Sequence, residues 1–197
     1  MMDPFLTLIV GVLFILTLGL LLVNDWRWMM GLLSLQYVGV MLLIMESWPF
    51  EVAVVKMMAG WMAAALLGVS YLGAEDPRVT MHRGHLPNPL FRSLVAVLAA
   101  LSIASFFPQA LTWFIGATQQ QVLGGLLLLG MGLIHVGLAT GSTRIIVGLL
   151  TILSGFEILY ATVEASVLMT ALLASYHLGL SFLGAYLLNA SGVEVRR

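Results

Sequence analysis

Residues 150–166 read LTILSGFEILYATVEAS. The segment has the makeup of a membrane-spanning helix, yet it carries Glu157 where hydrocarbon is expected and Glu164 seven residues later. A carboxylate is among the costliest groups to place in lipid. The rest of the chain decides that the segment is nevertheless a span. Of 197 residues, 61% are hydrophobic and 9% charged, with a mean hydropathy of +1.07. Soluble domains carry about 25% charged residues, so this chain lacks the charge to solvate a globular surface and is expected to be an integral membrane protein. The net charge is −1 and no basic block occurs, which excludes nucleic acid as a partner. With no cysteine, the chain can form neither disulfides nor thiolate-ligated metal sites.

A span needs about 20 mostly apolar residues, and seven stretches qualify: 5–24, 28–47, 50–73, 90–107, 120–140, 144–164 and 166–189. The fold class expected is all-α, with seven transmembrane helices. MMDPFLTL at the N-terminus reads as the start of the first span rather than a signal peptide. The polar stretch 74-AEDPRVTMHRGHLPNP-89 is a loop, and 108-PQALTWFIGATQQQ-121 is a shorter amphipathic break. With seven spans the termini lie on opposite sides. Arg27, Arg78, Arg83, Arg92, Arg144, Arg196 and Arg197 all fall on the C-terminal side, here called side B, while Asp3, Glu46, Glu51 and Glu164 fall on side A. Cytoplasmic loops concentrate Lys and Arg. Side B is therefore expected to be cytoplasmic and the N-terminus outside, in a bacterial or archaeal inner membrane. Trp26 and Trp28 are expected at the B interface, Trp48 and Trp113 near the A interface.

The second and sixth spans look alike. In 26-WRWMMGLLSLQYVGVMLL-43 and 143-TRIIVGLLTILSGFEILY-160, Arg27 aligns with Arg144 and Gly31 with Gly148. The chain then divides into an N-terminal three-helix unit (1–73), a cytoplasmic loop with linking helix and interfacial segment (74–119), and a C-terminal three-helix unit (120–197). Both units run in the same direction, unlike the inverted repeats of many carriers.

Ionisable residues inside a membrane usually face the bundle interior and mark pathways. Glu157 lies thirteen residues past Arg144, about 20 Å along a helix and toward side A. Glu164 extends the same face toward the surface. Low dielectric penalises the charged form of a carboxyl group, so a proton relay is the functional reading. The alternative is a protonated or ion-paired residue that pins two helices. Lys56 is the only lysine in the chain. It either snorkels to side A or is a buried ammonium facing a carboxylate, in this chain or on a neighbouring subunit. His177, near the middle of the last span, can face Glu157 across the sixth–seventh hairpin, or it can bond a backbone carbonyl as a neutral core residue. Gln36, His135 and Arg144 are supporting polar residues, which interhelical hydrogen bonding explains. His82 and His85 lie in the polar loop and are poor metal candidates. No catalytic centre and no cofactor site is legible in this chain.

The segment 148-GLLTILSGFEILYATVEAS-166 resembles the second helix of the small K-type membrane subunit of NADH-quinone oxidoreductase (respiratory complex I), with Gly155, Phe156 and Glu157 matching and Arg144 at the basic start. The following 167-VLMTALLASYHLGLSFLGAYLL-188 resembles the third helix of that subunit and of the C-type subunit of multisubunit Na+/H+ antiporters. At seven spans with a K-like C-terminal half, the chain is similar to the E-type membrane subunit of hydrogenase-4, where a lysine precedes an apolar run much as Lys56 does here. K-type subunits carry a second glutamate in the third helix; here that position falls near Ser175, with His177 two residues on. The resemblance implies a proton-translocating subunit beside larger antiporter-like membrane subunits, with quinone or metal centres in partner chains. It makes Glu157 the central carrier and Glu164, His177 and Lys56 its flanking members. The readings that remain open beside it are a non-conducting scaffold and a free-standing carrier of a small solute or ion.

Overall fold

A computed structural model describes residues 3–73, 88–164 and 166–194. They form seven helices: α1 (Pro4–Leu22), α2 (Trp26–Ile44), α3 (Phe50–Gly73), α4 (Pro89–Leu111), α5 (Gln119–Gly137), α6 (Ser142–Ala161) and α7 (Val167–Glu194). Each is long and apolar enough to cross a membrane, and no strand occurs among the described residues. The protein is an all-α, multi-pass membrane protein. Arg78, His82, Arg83 and His85 of the polar loop, and Arg196 and Arg197, lie outside the described residues.

Helix starts follow from local chemistry. The Asp3, Asp25 and Asn88 side chains accept from the backbone N–H of Phe5, Arg27 and Leu90, at 3.0, 3.0 and 3.1 Å. Pro4 and Pro89 then occupy the first helical position, where a missing N–H costs nothing. Thr118 and Gln121 cap α5 reciprocally. Several helix ends differ from the sequence reading by a few residues, and two of these differences bear on the site and its surroundings. α4 runs through Pro108 to Leu111, so the proline sits in the last turns rather than ending the helix. α6 stops at Ala161, three residues early, because Thr162 and Val163 turn back with their N–H groups on the carbonyls of Leu159 and Tyr160.

The helices pack as two facing rows. α1–α2–α3 form one and α5–α6–α7 the other, with α1 against α5, α2 against α6 and α3 against α7. α4 lies along the α1/α5 edge and buries only Arg92, Ala96 and Ala110. The most extensive contact joins α5 to α6. It depends on two glycine pairs, Gly125 with Gly155 and Gly132 with Gly148, each seven residues apart on its own helix. A Cβ on Gly155 would stand 2.7 Å from the Gly125 carbonyl oxygen and 2.7 Å from the Leu129 nitrogen. Backbone cannot yield as a side chain does, so only glycine permits this approach. Lipid supplies no hydrophobic drive between helices, and close backbone packing takes its place. α6 is thereby the most enclosed helix of the bundle. Trp48, in the α2–α3 connection at side A, is buried with its ring edge-on to Tyr160 at 6.5 Å.

Candidate functional site

Three helices deliver one ionisable group each to a single point. Lys56 is the seventh residue of α3, about 9 Å along it. Glu157 lies about 6 Å before the end of α6, and His177 about 15 Å into α7. α3 and α7 begin at side A and α6 ends there, so the point falls in the A-side half of the bundle, at the edge opposite α4. Exposure is 5% for Lys56 and 2% for both Glu157 and His177.

The Lys56 ammonium donates to Glu157 Oε1 and forms an ion pair with it. His177 Nδ1 lies 3.3 Å from the same oxygen and 3.0 Å from the Leu173 carbonyl oxygen. A carbonyl only accepts, so this contact places the proton of a neutral His177 on Nδ1. Nε2 then holds the lone pair, and it is buried without a partner. A lone charge at a helix centre costs about 2.5–3.5 kcal/mol on the insertion scale. Pairing two of them offsets that cost and clamps α3 to α6 across the two rows. Lys56 turns inward rather than snorkelling to side A.

Tyr37 of α2 completes the surroundings. Its ring meets the His177 ring edge-on at 5.5 Å. Gly60 of α3 makes room for it, since a Cβ there would fall 2.4 Å from the Tyr37 ring. The Tyr37 hydroxyl is buried, lies within reach of Ser154 and Glu157, and makes no hydrogen bond of good geometry. Sequence reading missed both residues. A tyrosine beside Gln36 and a glycine one turn after Lys56 were visible, but nothing local says that they meet.

The other expected residues lie apart. Glu164 is beyond the end of α6 and exposed, and its carboxylate accepts from the Tyr160 hydroxyl at 3.3 Å. It does not continue the face of Glu157, because the helix ends before reaching it. Gln36 is fully buried with neither side-chain polar atom bonded. Thr151 and Ser154 lie on α6 between Arg144 and Glu157, and each hydroxyl donates to its own helix at 2.9 Å. His135 is buried near side B with Nε2 unpartnered. Arg144 is buried in the first turn of α6 and donates to the Val23 carbonyl at 2.6 Å. Among the described residues no group of three His, Asp or Glu side chains could hold a metal ion.

Comparison with protein-family models, curated proteins and solved structures gives no match to this chain.

Proposed function

We propose that the chain is a proton-translocating membrane-arm subunit of a complex I-like oxidoreductase, a membrane-bound hydrogenase or a multisubunit cation/proton antiporter. Side B is then cytoplasmic, larger antiporter-like subunits are its neighbours, and the energy source resides in those partner chains. One observation carries the reading: a buried carboxylate oxygen shared between an ammonium and an imidazole. Three groups able to hold a proton are thus in contact inside the membrane.

Their chemistry gives a sequence of transfers. A proton taken up on His177 Nε2 forms the imidazolium. Its Nδ1 proton passes to Glu157, leaving a neutral imidazole and a neutral carboxyl. Lys56 then has no counter-charge in low dielectric and releases a proton toward side A. The Glu157 proton moves to the Lys56 amine, which restores the ion pair, and the imidazole, left as its Nε2–H tautomer, resets by giving that proton to one water and taking one at Nδ1 from another, with no net change. One proton enters and one leaves. At no step does the cluster hold more than one excess charge, the condition low dielectric imposes.

A second reading is a non-conducting scaffold. It is favoured by Thr151 and Ser154, whose hydroxyls bond within α6 rather than joining a path toward side B. Glu157→Gln in the assembled complex separates the two, with proton pumping read by a pH-sensitive dye in membrane vesicles and assembly read by co-purification. A relay loses pumping with assembly intact. Unchanged pumping refutes it; where Glu157→Gln does not assemble, the double variant Lys56→Met/Glu157→Leu, which strands no charge, is read in the same way.

A further inference from the structure

Arg92 and Arg144 stand at the opposite end of the bundle from the Lys56 cluster. Arg92 is the fourth residue of α4 and Arg144 the third of α6, and they are 2% and 3% exposed. Both guanidinium groups converge on the end of α1. Arg92 Nη1 donates to the Leu21 carbonyl at 2.7 Å and Nη2 to the Leu22 carbonyl at 3.3 Å. Arg144 Nη2 donates to the Val23 carbonyl at 2.6 Å. Both also reach Asn24 Oδ1, at 3.5 and 3.1 Å. Two full positive charges therefore share one amide oxygen.

Among the described residues little balances them. Among the described residues neither arginine is paired with a carboxylate. Asp25, next to Asn24 in the chain, instead caps α2 by accepting from the Arg27 N–H. A helix C-terminus carries the equivalent of about half a negative charge, well short of two positive ones. The Nε–H groups of both arginines are buried without an acceptor, and an arginine nitrogen can only donate. His135, within electrostatic reach of both arginines, adds an unpartnered Nε2 at the same end. The missing chemistry is a negative charge carried on several acceptor oxygens, which a phosphate matches and planar guanidinium forks favour.

We propose that Arg92 and Arg144 form a binding site for a phosphate group, presented by the headgroup of an anionic phospholipid. Depth argues for a lipid source. α6 has 20 residues, about 30 Å of helix, which matches the hydrocarbon thickness. Its third residue therefore sits at the boundary where phospholipid phosphates begin. Asn24 is exposed and marks the side from which a headgroup reaches the pair. Basic pockets between spanning helices are a recurrent way of holding anionic headgroups.

The test is lipid retention by the purified full chain in native mass spectrometry, with phosphatidylglycerol and phosphatidylcholine titrated separately. One phosphatidylglycerol is expected per chain, with an apparent affinity about tenfold above phosphatidylcholine. Arg92→Gln and Arg144→Gln should each remove that preference. Arg27→Gln, an exposed arginine of the same side, should keep it. If the glutamine variants do not fold, Arg144→Lys, which keeps the charge and loses the fork, should still lower it. Inorganic phosphate is the second arm. If it displaces the lipid or raises the melting temperature without lipid, the site accepts phosphate from either source. Equal retention of the two lipids by the natural chain overturns the proposal, as does an equal loss in Arg27→Gln.

Discussion

Removing either member of the Lys56–Glu157 pair should cost far more than removing both. The pair is buried, so each single change strands a charge in low dielectric. Breaking a buried pair from one side costs about 3–5 kcal/mol, whereas replacing both partners by apolar groups is neutral or stabilising by about 1–4 kcal/mol. Glu157→Gln belongs at the upper end, because it leaves the ammonium without a counter-charge. Lys56→Met belongs at the lower end, because His177 still lies 3.3 Å from Glu157 Oε1 and can share its charge. The double variant Lys56→Met/Glu157→Leu should return to within about 1 kcal/mol of the natural protein. The assay is reversible unfolding in mixed micelles, followed by circular dichroism, on the four members of the cycle. If the double variant falls at the sum of the two singles, the residues are not coupled and the paired arrangement is wrong. The same cycle bears on function, since under the relay reading the double variant folds and carries no protons.

Three further outcomes follow from the geometry. Gly155→Ala should destabilise the bundle by about 1–3 kcal/mol in the same unfolding assay, because its Cβ meets backbone at 2.7 Å; Gly31→Ala, with nothing within 4 Å, should be close to neutral. Nitrogen-15 NMR of side-chain-labelled histidine should find the neutral His177 proton on Nδ1, and a proton on Nε2 would remove the Leu173 hydrogen bond from the account. Tyr37→Phe should change stability by no more than about 1 kcal/mol in thermal unfolding, since its hydroxyl lies near Ser154 without a hydrogen bond of good geometry.

The spans were legible because lipid imposes a length and a composition that no other environment demands. α3 occupies the stretch read from hydropathy, residues 50–73. The end of α6 was not legible, because no proline or glycine marks the turn that follows Ala161. That difference of three residues removed Glu164 from the face of Glu157. Within the site, His177 was within the reach of sequence reasoning because a short connection brings α6 and α7 side by side. The partner of Lys56 was not, since 101 residues separate it from Glu157 and several carboxylates were available. Tyr37, Gly60 and the convergence of Arg92 with Arg144 on Asn24 depend on which helices become neighbours, and the two-row packing decides that.

The separation between Lys56 and Glu157 also shapes how the chain is made. Ribosomes add about 5–20 residues per second, so the nascent third segment waits roughly 5–20 s before its counter-ion is synthesised. During that interval an insertion channel must accept a solitary ammonium, which a mean segment hydropathy of 1.9 helps to carry. Final seating of that segment must therefore come late in biogenesis, once the sixth has been threaded. Truncation anywhere between the two leaves an unmatched cation for membrane quality control to find.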